Sequence, residues 1–181
     1  MSFAMPDYLL SVRGAGELFS PARVDLHLVV NFFMTFARAE WALKSAGFLS
    51  TTVRRKDEIK VEWDKFAKSI APSLKSVSDV RVRGAIDYLT RNPPRRQIVN
   101  AGKLDWKPRK PGNQADATFL VRSITTVRNN LFHGGKKLKW LMAERDRKLL
   151  ESSLLVLTYC LGLDRNVAAA FAELGPEPAA P

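Results

Sequence analysis

The sequence predicts an all-α fold, a bundle of four to five helices, and three observations carry that prediction. Apolar side chains recur at the 3.6-residue helical spacing in several separate segments. Ser-Pro, Gly and Pro-Pro signals punctuate the chain between them. No segment alternates apolar and polar residues for long enough to build a sheet, and there is no internal repeat. The 181 residues are 46% apolar and 26% charged, ordinary proportions for one globular domain.

The elements follow in order. Residues 1–19 are expected to be irregular, with Gly14 and Gly16 loosening the backbone. Ser20-Pro21 reads as a helix start, a capping hydroxyl followed by proline at the first helical position. The helix from there to about Ala46 carries Val24, Leu28, Phe32, Phe36, Ala39 and Leu43 as one stripe, and Gly47 stops it. Val30, Phe33, Met34 and Trp41 fall outside the stripe, so this helix is central or also part of an oligomer interface. A second helix is expected from about Lys56 to Ala71, with Ile59, Trp63, Phe66 and Ile70 on one face and Pro72 ending it. A third runs from about Ser78 to Arg91 with Val82, Ile86 and Leu89 inward, and Asn92-Pro93-Pro94 stops it.

Residues 92–114 read as a long basic loop with four prolines, pinned to the body by Trp106. From Arg91 to Lys110 it holds seven basic side chains against one acid, Asp105. A fourth helix runs from about Ala115 to His133 and ends in Gly134-Gly135. A fifth runs from roughly Trp140 to Leu163, and a short helix follows at 164–173. Residues 20–173 are thus expected to form a single helical domain, and 174–181 a disordered, proline-rich tail.

Charge narrows the partners. The net charge is +11, but it is uneven: zero over residues 1–50, +6 over 51–100, +8 over 101–150 and −3 over the rest. A basic middle fits either solvated helix faces or contact with RNA or DNA. The single Cys160, with only His27 and His133 as histidines, excludes a Cys/His zinc cage, and no metal or cofactor is expected. The uncharged run Leu26 to Ala37 is too short to span a bilayer, so no membrane partner is expected. The N-terminus lacks a secretory pattern, and the expected localisation is cytoplasmic.

One residue departs from the helical pattern. Ala117, Leu120, Val121, Ile124, Val127 and Leu131 define the apolar face of the fourth helix, and at 100° per residue Arg128 falls near its middle. A guanidinium keeps its charge when buried, so it needs a partner. Three explanations stand: an ion pair with a core carboxylate such as Glu40, a place at an oligomer interface, or a cleft that receives an anion. One of only two histidines, His133, lies five residues further on, just ahead of Gly134, Gly135, Lys136 and Lys137. In a straight helix that spacing separates the two side chains by about 140°, so the glycine pair or a symmetric dimer would have to bring them together.

This segment resembles the HEPN superfamily, whose signature is Arg, then a polar residue, then His after four to six intervening positions. Arg128, Asn129 and His133 fit it with four intervening residues, at the end of an apolar-faced helix in a basic helical chain. Phe36 to Lys44 and Arg128 to Lys136 also look like small HEPN proteins of plasmids and mobile elements, and the resemblance covers most of residues 20–163. It implies a HEPN-like bundle and a metal-independent endoribonuclease of toxin or phage-defence type, working as a homodimer. It also implies RNA as substrate, with an antitoxin or defence-system protein as a further partner. In that reading a 2′-hydroxyl attacks the adjacent phosphorus, His133 moves the proton, Arg128 holds the phosphate, and Asn129 orients a phosphate oxygen or the imidazole. Lys136, Lys137 and Lys139 would track the RNA backbone. Where some relatives carry a tyrosine two positions after the histidine, this chain has Gly135.

Two side chains are supporting candidates. Glu40 pairs with Arg128 and orients it, or bridges helices in an ordinary way. Arg145, near the start of the fifth helix on an apolar face, assists at the cleft or forms an ion pair. The alternative function is a non-catalytic helical module that binds nucleic acid or nucleotide, or docks in a larger defence complex.

Overall fold

The computed structural model describes residues 26–50, 59–111, 116–132 and 144–173. Among these the chain is mostly helical: α1 (Leu26–Ser45), α2 (Trp63–Lys75), α3 (Val80–Arg91), α4 (Ala117–Phe132), α5 (Glu144–Leu161) and α6 (Arg165–Ala172). Between α3 and α4 lies one antiparallel pair, β1 (Arg96–Asn100) and β2 (Lys103–Lys107). The expected irregular segment 1–19, the Ser20-Pro21 start and the 174–181 tail lie outside the described residues. No single described helix is long and apolar enough to cross a membrane.

The helices assemble by burying their stripes. α3 packs on α5, α2 on α4, and α1 against both α5 and α6. Phe32, Phe36, Ala39 and Leu43 of α1 are buried, as the 3.6-residue spacing predicts, while Val30, Phe33, Met34 and Trp41 stay exposed. Phe36 stacks against Trp63 at 5.1 Å, and Phe48 meets Phe66 edge-on at 5.5 Å. Arg38 of α1 reaches the last carbonyls of α6, donating to those of Phe171 and Glu173, and caps the negative end of that helix dipole.

Helix ends follow local chemistry. Gly47 takes φ +83° after α1, and the amides of Gly47 and Phe48 turn back to the carbonyls of Lys44 and Leu43. This is a Schellman closure, with Phe48 buried beneath it. Asp79 caps α3 by accepting from the amides of Arg81 and Val82, and Asp164 caps α6 through Asn166 and Val167.

The second helix differs from expectation at both ends. Residues 59–62 run extended beside Phe48–Ser50, with Ser50 N–H on the Lys60 carbonyl at 2.8 Å and Glu62 N–H on that of Phe48 at 2.9 Å. Ile59 is therefore exposed rather than on a helix face, and α2 begins at Trp63. Its other end runs past Pro72 to Lys75, because Leu74 is drawn into the core. Burying a leucine contributes about 1.5–3 kcal/mol, which offsets the hydrogen bond that proline removes.

The long basic loop of residues 92–114 is corrected too: it contains the β1–β2 hairpin. Arg96 pairs with Lys107, Gln97 with Trp106, and Asn100 with Lys103. The two-residue tip, Ala101 and Gly102, has φ of +48° and +73°, the positive pair that a type I′ hairpin turn needs. Trp106 is half-buried on β2.

Candidate RNA-facing site on α4 and the hairpin

α4 presents two different faces. Ala117, Leu120, Val121, Ile124 and Val127 are buried. Arg122, Thr126 and Asn129, spaced four and then three residues apart, share another side. Asp116 opens the helix by accepting from the Thr118 amide at 2.9 Å.

Arg128 sits between these faces, half-buried at the C-terminal end of the apolar stripe. Its guanidinium lies 5.5 Å from the centroid of the Phe36 ring, and its Nη1 donates to Asn129 Oδ1 at 3.2 Å. An aromatic face and an amide oxygen thus lie against a cation that the helical spacing carries toward the core. Glu40, one of the candidate partners on α1, forms no ion pair with Arg128 among the described residues. Arg145 is exposed, and its Nη2 donates to the Pro93 carbonyl at 2.9 Å, so it holds the hairpin's lead-in. His133, Lys136, Lys137 and Lys139 lie outside the described residues.

The hairpin is tethered at both of its ends. At the entry, Asn130 Nδ2 donates to the Arg95 carbonyl at 2.7 Å, alongside the Arg145–Pro93 bond. At the exit, Arg109 lies 4.1 Å from the Phe119 ring centroid and donates to Ser123 Oγ at 3.3 Å. Ser123 in turn donates to the Phe119 carbonyl at 2.7 Å.

These tethers close a shallow cleft of about 210 Å³ between hairpin and helix, lined by Arg96, Gln97, Thr126, Asn129 and Asn130. Every lining side chain is polar. Gln97 Nε2 is buried there without a hydrogen-bond partner among the described residues, a condition that costs about 1–3 kcal/mol unless a ligand or solvent meets it. Thr126 donates its hydroxyl to the Arg122 carbonyl at 2.6 Å, which leaves its oxygen lone pairs to accept. Asn129 belongs to both places: its oxygen holds Arg128, and its side chain walls the cleft.

Arginines outnumber carboxylates on this flank. Burial first, then the neighbouring guanidinia of Arg96 and Arg122, hold Arg109 below the usual arginine range, and Asp116 opposes them. Arg122 is raised by its hydrogen bond to Asp64, whose carboxyl is lowered by the same contact. Three arginines therefore share this flank, with Asp64 and Asp116 as the carboxylates that act on them. Such a surface attracts anions and offers fork-shaped donors to phosphate oxygens.

Sequence reasoning singled out Arg128 and Asn129, and the basic run Arg91–Lys110 as a whole for phosphate contact, but not Arg96 and Arg109 individually, nor Gln97, Thr126 or Asn130. The 122–126–129 spacing was a usable signal, whereas the hairpin residues gain meaning only once the hairpin docks. No family model, no curated protein and no solved structure matches the chain.

Proposed function

We propose that the chain is a metal-independent endoribonuclease of toxin or defence type, with a HEPN-like helical bundle that works as a cytoplasmic homodimer. The observation that supports this reading best is Arg128, held by Asn129 at the end of α4 and followed five residues later by His133, next to a polar cleft flanked by arginines. An arginine so held offers a bidentate fork to a scissile phosphate and stabilises the charge that grows on its oxygens. His133 takes the proton from the 2′-hydroxyl or gives one to the leaving 5′-oxygen. The 2′-oxygen–phosphorus bond forms as the phosphorus–5′-oxygen bond breaks, leaving a 2′,3′-cyclic phosphate and a 5′-hydroxyl. Lys136, Lys137 and Lys139 steer the backbone, and an antitoxin or defence partner would restrain the activity.

The test is cleavage of RNA by the full chain in EDTA. Products should carry 2′,3′-cyclic ends, and a deoxyribose at the scissile position should block the cut. His133→Ala and Arg128→Ala should each lower the rate by about 10²- to 10⁴-fold. Equal cutting of DNA, or a need for added magnesium, would sink the mechanism. One observation favours a second reading, the non-catalytic module: guanidinium and amide groups line the cleft, and binding needs nothing that titrates. RNA that binds without being cut would select it.

A further inference from the structure

We propose that the base of the β1–β2 hairpin and the outer face of α4 form a subsite for the ribose-phosphate backbone of single-stranded RNA. Arg96 and Arg109 take phosphates there, and Gln97, Thr126 and Asn129 meet the sugar hydroxyls. The inference rests on the reading above for the identity of the strand, and it assigns a role to the hairpin that the Arg/His pair leaves unexplained.

The register places the groups. Arg96 opens β1 opposite Lys107, and Arg109 follows two residues later, so all three stand at the tethered end of the hairpin. Arg96 is exposed, and no acidic group bonds it among the described residues. Arg109 uses one Nη on Ser123 and its flat face on Phe119, which fixes the guanidinium while other donors remain. From Thr126 to Asn130 the helix lining of the cleft rises about 6 Å, and two arginines, Arg96 and Arg109, stand at the base of the hairpin, so the surface offers more than one phosphate contact and suits a continuous backbone.

The chemistry of the lining selects the ligand. Phosphate and sugar contacts in nucleic-acid complexes come from Arg and Lys together with Ser, Thr, Asn and Gln, the set found here. No aromatic side chain lines the cleft, so bases do not stack in it, and recognition is of backbone rather than sequence. The unmet Nε2 donor of Gln97 and the accepting oxygen of Thr126 complement a 2′-hydroxyl, which both accepts and donates. DNA lacks that group. An acidic protein surface would satisfy the arginines but would leave the amide and hydroxyl pair without a purpose.

The experiment is fluorescence anisotropy of a labelled single-stranded RNA of mixed sequence, and of the same sequence as DNA, titrated at rising KCl on the full chain carrying His133→Ala. Arg96→Ala should weaken RNA binding at low salt by about threefold or more, and should flatten the log–log salt slope by about 0.7. Gln97→Leu, which removes a buried unmet donor and so keeps the fold, should lower the preference for RNA over DNA. Arg81→Ala, an exposed arginine on α3, should change neither quantity. An unchanged slope in Arg96→Ala together with an unchanged RNA preference in Gln97→Leu overturns the subsite. So does loss of polyglutamate binding in Arg96→Ala with RNA affinity intact, which assigns the surface to an acidic protein. If the variants behave as expected but the wild-type chain cuts no RNA, the subsite stands and the nucleolytic reading falls. If the wild-type chain cuts RNA and both variants bind it normally, the subsite alone falls.

Discussion

Asn130 on α4 donates its side-chain amide to the backbone carbonyl of Arg95 at 2.7 Å, across 35 residues of chain. That bond sits beside the residue that holds Arg128 and walls the polar cleft. A two-stranded hairpin is only marginally stable by itself, so its position over α4 depends on such tethers.

Asn130→Ala should therefore loosen the hairpin without unfolding the helices. The lost bond costs about 1 kcal/mol, or about fivefold in local opening. Hydrogen exchange should quicken at the amides of residues 96–107 and stay unchanged in α1 and α5. Unaltered exchange in the hairpin would mean that Arg109 and Arg145 hold it unaided.

Ser153 on α5 is fully buried, and its hydroxyl has no partner among the described residues. An unmet buried hydroxyl opposes folding, and alanine fills nearly the same space. Ser153→Ala should raise stability by about 1 kcal/mol, seen as a melting temperature higher by about 2–4 °C. A lower melting temperature would show that the hydroxyl is satisfied in solution.

Much of the helical frame is legible in the sequence because each helix buries a stripe long enough for the 3.6-residue period to accumulate. Phe32, Phe36 and Leu43 on α1, and Leu120 and Ile124 on α4, are the stripe residues and are buried. Gly47 is legible for another reason, since few residues other than glycine take its φ of +83° readily. The hairpin is not legible, because its strands have five residues each and β1 reads Arg-Gln-Ile-Val-Asn, without alternation. The start of α2 was hidden for a similar reason: Ile59 continues the apolar spacing backwards, but it belongs to an extended stretch paired with Phe48–Ser50. At the candidate site, periodicity singles out Arg128 on the apolar face. It cannot reveal that the Phe36 ring of α1 lies against it, because that neighbour is set by tertiary packing.

Cys160 should be chemically silent in the native chain. Burial pushes its thiol up to about 12, so almost no thiolate forms near neutrality. Thiol reagents should label it only after unfolding by guanidinium. The linkage has a definite sign: a thiol raised by folding adds stability that is complete below its unfolded value of about 8.5 and fades as pH climbs toward the folded value. The stability lost by wild type between neutral and strongly alkaline pH should accordingly exceed that lost by Cys160→Ala. Equal losses, or rapid native labelling, would place the thiol in contact with solvent.

The hairpin tip offers the sharpest test of local geometry. Ala101 and Gly102 both have positive φ, and a Cβ added at Gly102 would meet nothing within 4 Å. Space is therefore not what constrains this turn; backbone conformation is. An L-residue with a Cβ resists the left-handed region by about 1–2 kcal/mol, while asparagine tolerates it better through its local hydrogen bonding. Ala101→Asn creates the Asn-Gly pair that type I′ turns favour, and it should slow exchange across β1 and β2. Gly102→Ala should quicken it despite the open surroundings, and Ala101→Val should quicken it further because a branched side chain suits positive φ least. The three variants change no contact with α4, so any effect on RNA affinity would have to come through the order of the hairpin. If Gly102→Ala leaves exchange unchanged, the turn is not held in the left-handed region in solution.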